Sequence, residues 1–71
     1  MKGPCGEKVL LMSDYETATA KFSAAVGELR RKMGSVPTAE YERLDRAANE
    51  ARVQSERARI AVERHIAAHG C

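Results

Sequence analysis

"GSVPTAEYERL", residues 34–44, is the stretch that decides the fold. Pro37 cannot continue a helix, because its ring clashes with the preceding turn and it has no N–H to donate. Gly34 suits the left-handed conformation that ends helices, and Thr38 or Ser35 can cap a new one. Helical patterns flank the stretch on both sides, and a short link between two helices makes them antiparallel neighbours. The expected fold is all-α: an antiparallel two-helix hairpin with coiled-coil-like packing.

Upstream, "SDYE" at residues 13–16 has the form of a capping box, in which the Ser13 hydroxyl and the Glu16 carboxylate each take a backbone N–H. A helix is expected over about 14–33. Tyr15, Ala18, Phe22, Ala25 and Leu29 recur along it at intervals of three and four, with Val26 and Met33 widening the stripe. Arg30, Arg31 and Lys32 complement the negative end of the helix dipole. Residues 1–12, "MKGPCGEKVLLM", carry Gly3, Pro4 and Gly6 and read as an irregular arm, or as an extension ahead of a start at Met12.

Downstream of the turn at 34–38, a second helix is expected over about 39–69, ended by Gly70. Its inner face holds Tyr41, Leu44, Ala48, Ala51, Ser55, Ala58, Val62 and either His65 or Ile66. Folding the chain about the turn sets Leu29 near Tyr41 and Leu44, Phe22 near Ala48 and Ala51, and Tyr15 near Ser55 and Ala58. Large side chains then meet small ones, as interdigitating helices require. The hairpin seam is assigned to Tyr15, Phe22, Leu29, Tyr41, Leu44, Ala48, Ala51 and Ala58. With the first twelve residues outside the helices, the last ten residues of the second helix overhang the first.

A chain of 71 residues sits at the size where a fold needs a disulfide, a metal, unusually good packing or a partner chain to offset the entropy of ordering. One seam cannot surround Phe22 or Leu29 on all sides. Val53, Ile60 and Ala67 repeat away from that seam, and the overhanging Ile60, Val62 and Ile66 need a cover. These observations predict a homodimer of hairpins forming a four-helix bundle, with Val53, Ile60, Val62 and Ile66 at the interface.

Twelve Lys/Arg stand against ten Asp/Glu, a net charge of +2, with the signs interspersed. Glu28–Lys32, Glu42–Arg46, Glu40–Arg43 and Glu56–Arg59 are spaced as helix-surface ion pairs. The chain has no basic stripe and few stacking aromatics, which argues against a nucleic-acid binder, although Arg30, Arg31 and Lys32 keep a weak accessory role in view. No apolar run approaches the roughly 20 residues of a membrane span, and a cytoplasmic location is expected.

The chemically distinctive residues are two histidines and two cysteines. His65 and His69 lie one helical turn apart, so their imidazoles can share an ion, and the open end of a hairpin would bring Cys5 and Cys71 toward them. A Cys2His2 zinc set would stabilise a small fold, but it lacks the usual close cysteine pair. A Cys5–Cys71 disulfide is the alternative clasp. Against both stands the plain reading of His65 as a seam residue and His69 as a last-turn residue facing the helix dipole. No concave pocket is expected for catalysis. The functional expectation is a non-enzymatic interaction or structural protein without a cofactor that self-associates through apolar helix faces; the alternative is a metal-binding or thiol-responsive module.

Overall fold

The computed structural model describes residues 4–70, with side chains from Gly6 onward. Two helices, α1 (Pro4–Lys32) and α2 (Thr38–His69), pack against each other as an antiparallel hairpin. The molecule measures 50 × 17 × 12 Å, and its radius of gyration is 15.9 Å. A compact globule of this length would have a radius of roughly 11 Å. The chain is therefore a rod built on one seam.

The link forms as its residues dictate. Gly34 takes a φ of 80° just beyond α1. The Ser35 N–H and hydroxyl both donate to the Lys32 carbonyl, each at 3.1 Å, so Ser35 closes α1 instead of capping α2. Pro37 holds a φ of −60° and a ψ of 156°, and its carbonyl accepts the first bond of α2 from Tyr41 at 3.0 Å. No side chain caps α2, and Thr38 stands as its first residue rather than its cap. Met33, expected to end the first helix inside the stripe, lies in the turn and is exposed. At the other end Gly70 takes a φ of 72° and donates to the Ile66 carbonyl at 2.7 Å.

The N-terminal segment departs from expectation: residues 4–12 are helical and continuous with the rest of α1. Proline is tolerated in the first turn, where its missing N–H would have no intrahelical partner. Glu7, Lys8, Leu10, Leu11 and Met12 are good helix formers that outweigh the cost of Gly6. Ser13 consequently lies inside a helix and the capping box is not used. Such a cap contributes about 1 kcal/mol, whereas stopping α1 there would uncover Val62, a larger loss. With α1 at 29 residues and α2 at 32, the helices are nearly matched and the expected overhang is absent.

The Thr19 hydroxyl lies 3.2 Å from that of Ser55, which fixes the register. Around that pair the inward positions alternate at three and four residues: Met12, Tyr15, Phe22, Val26 and Leu29 on α1, and Tyr41 through His65 on α2. All of these are half-buried or buried. This is the seven-residue repeat of helices that coil about each other. Each seam residue inferred from sequence lies in it. His65, not Ile66, fills the last inward position of α2: His65 is 7% exposed and Ile66 41%.

The surface charges pair locally. Glu28 holds Lys32 at 3.1 Å and also Arg31, and Arg43 holds Glu40. Lys32 foremost, then Arg31, keeps the Glu28 carboxyl below its ordinary value, while Glu40 raises the Arg43 guanidinium. Glu56 takes Arg52 at 2.9 Å rather than Arg59, which pairs with Glu63 at 2.8 Å. No bridge joins Glu42 to Arg46 among the described residues.

A methyl group on Gly34 would meet nothing within 4 Å, so its cost comes from the backbone alone. Gly34→Ala should destabilise the hairpin by about 1 kcal/mol, because only glycine adopts this φ without penalty. Urea unfolding of the two proteins at equal concentration measures it.

Candidate functional site

Two places on the rod group side chains in a way that bears on function: the end of the seam at His65, and a groove along one flank.

At the seam's end the His65 and His69 rings lie 4.7 Å apart between centroids, tilted by 47°. Helical spacing puts them together as expected, but their surroundings differ. His65 is enclosed by the helix pair, whereas His69 is exposed in the last turn of α2. Two imidazoles offer two ligands, and a closed zinc site takes four. Among the described residues no group of three or more His, Cys, Asp or Glu side chains converges. The side chain of Cys5 and all of Cys71 lie outside the described residues, and with them the proposed Cys2His2 set and the Cys5–Cys71 bridge. Cys5 itself stands in the first turn of α1.

The groove is formed by both helices. Leu11, Asp14, Ala18 and Lys21 line it from α1, and Ala51, Gln54, Arg57, Ala58 and Ala61 from α2. It exists because alanine occupies the positions beside the seam where longer side chains would fill the valley. Its floor is apolar, its rim is charged, and it is shallow and open. The opposite flank holds a dent on α1 alone, lined by Tyr15, Glu16, Thr19, Ala20 and Ser23. Glu16, Ser23 and Arg30 line that flank on α1, with Asp45, Arg52 and Arg59 on α2, and all are exposed. Val9 and Ile66 close it at the open end, 59% and 41% exposed.

The four residues expected at a dimer interface do not share a surface. Val62, 6% exposed, belongs to the seam and is covered by α1, because the N-terminal segment is helical. Val53 lies half-buried in an outer dent lined by Arg46, Asn49, Glu50, Gln54 and Arg57, the last two shared with the groove. Ile60 is on that same outer face at 40% exposure, and Ile66 is on the polar flank. Sequence periodicity missed the residues that matter most to the groove and the register. Leu11 fell in a segment read as irregular, and Thr19 is polar, so a search for apolar stripes passes over it. The pairing of Thr19 with Ser55 shows only once the register is known.

No helix among the described residues is long and apolar enough to cross a membrane. Comparison with protein-family models, with curated proteins and with solved structures finds no match to the chain.

His65 and His69 are separable by experiment. If His65 serves as seam packing, His65→Ala should cost about 1–3 kcal/mol of stability, and His69→Ala should fall within about 0.5 kcal/mol. Unfolding midpoints measured with and without one equivalent of zinc decide it: a metal site would make both substitutions costly, and only in the presence of zinc.

Proposed function

We propose that this chain is a non-enzymatic interaction protein, a helical hairpin that completes its fold by associating with a second copy of itself to form a four-helix bundle. The observation that carries the reading is the thinness of the core. Among the described residues only Ala48, Val62 and His65 are buried, and no large side chain is fully enclosed. Phe22, Leu29, Tyr41 and Leu44 remain half-exposed along the seam.

The energetics favour the same conclusion. Burying an apolar side chain completely contributes about 1.5–3 kcal/mol, and here the large ones obtain only part of that. Ordering a residue costs on the order of 1–2 kcal/mol. A second hairpin laid along the groove would cover the open side of the seam and bury Leu11, Ala18 and Ala61 at once. Alanine lets helices approach closely, so the groove suits a helix better than a small molecule. The groove is also lined by both helices, whereas the outer dent around Val53 belongs to α2 alone.

Light scattering at micromolar concentration should return twice the single-chain mass of 7.8 kDa. Ala18→Glu, which sets a charge on the groove floor, should lower that mass toward the single chain. Ile60→Glu on the outer face should leave it unchanged. A wild-type mass of 7.8 kDa at every concentration would contradict the proposal.

A further inference from the structure

The rim of the groove carries a charge pattern that selects one way for the second copy to sit. Asp14, Lys21 and Arg57 line the groove, and steps of seven residues from them give the rows Glu7, Asp14, Lys21 and Glu28 on α1 and Arg43, Glu50, Arg57 and Arg64 on α2. Asp14 and Arg57 line the same stretch of the groove, which sets the level of one ladder against the other. At that register, the acid–acid–base–acid order of α1 runs against base–base–acid–base on α2. Every rung is opposite in sign, including the reversal at Lys21 and Glu50.

Within one hairpin no ion pair joins the two rows among the described residues. Glu28 and Arg43 pair with neighbours on their own helices, while the other six make no ion pair among the described residues. These six charges are exposed, so each can meet a charge of a second copy laid along the groove.

A face-to-face pair of hairpins has two simple two-fold arrangements, both giving antiparallel contacts throughout. With the axis parallel to the helices, α1 of each copy lies on α2 of the other and the two turns share one end. The levels are then kept, and all four rungs are attractive. With the axis across the helices, α1 lies on α1 and α2 on α2, and the turns point to opposite ends. Asp14 then meets Lys21 and Glu50 meets Arg57, but Glu7 meets Glu28 and Arg43 meets Arg64, so half the rungs repel. Charges flanking an apolar helix contact choose partner and orientation in this manner.

We infer that a second copy of this chain occupies the groove with its two-fold axis parallel to the helices, α1 on α2, both turns at the same end, and Asp14–Arg57 and Lys21–Glu50 as the orienting pairs between copies. The inference rests on the self-association proposed above and adds its geometry.

Charge exchange distinguishes the arrangements. Each substitution acts twice in a two-fold dimer, so Asp14→Arg alone, or Arg57→Asp alone, should raise the dissociation constant roughly tenfold at low salt. The double variant, Asp14→Arg with Arg57→Asp, restores opposite charges in the shared-end arrangement and should return to within about threefold of wild type. In the opposite-end arrangement the same double variant sets like charges at both sites and should bind more weakly than either single variant. Dissociation constants come from sedimentation equilibrium, with circular dichroism confirming helix content in each variant. Recovery in the double variant supports the geometry. A wild-type dimer whose double variant is weaker than the singles, or whose variants all bind alike, overturns the geometry and leaves self-association standing. A wild type that stays monomeric overturns both.

Discussion

Two helices share one line of contact, and everything else in this structure follows from how little that line can enclose. A side chain on a helix is surrounded only when neighbours stand on several sides of it. Here each residue has one neighbouring helix. The chain compensates by making the contact close: Ala48, Ala51 and Ala58 take inward positions on α2 and Tyr15 and Phe22 take inward positions on α1, so small and large groups share the seam. The same alanines leave little volume to bury. The result is a seam in which Ala48, Val62 and His65 are covered and the large aliphatic and aromatic groups stay partly wet.

That shortage accounts for the length of α1. Its first residues carry Pro4 and Gly6, which in isolation argue against a helix, and a usable cap stands ready at Ser13. The helix forms through them because Leu11 and Met12 must lie against the far half of α2, where Val62 would otherwise be bare. A local signal worth about 1 kcal/mol yields to burial on a helix some fifty residues away in sequence. It also explains why His65 takes an inward place: matched helices carry the seam to the last turns.

The parts of the fold set by local backbone chemistry were legible in the sequence. Pro37 and Gly34 define the link, Gly70 ends α2, and the three-and-four spacing from Tyr41 to Val62 marks the inner face. The parts set by contacts between helices were not. Leu11 was hidden in a segment that reads as irregular, and Thr19 was hidden by its polarity, although its hydroxyl with that of Ser55 fixes the register. Assigning Val62 to an interface between copies followed from the mistaken overhang. The charged ladders were visible as letters, but their complementarity has meaning only at a known register and on a known flank. The pairing of His65 with His69 was legible from spacing alone, while the burial that separates them was not.

On the proposed self-association, the hairpin and its assembly are one folding unit. If a second copy supplies the missing burial, association and folding are linked by mass action, and the unfolding midpoint must depend on concentration. Thermal unfolding followed by circular dichroism over about a hundredfold range of protein concentration tests this directly. The midpoint should rise steadily with concentration, with helix content falling at the dilute end. A midpoint that stays fixed across the range, with full helix content in the most dilute sample, would contradict it.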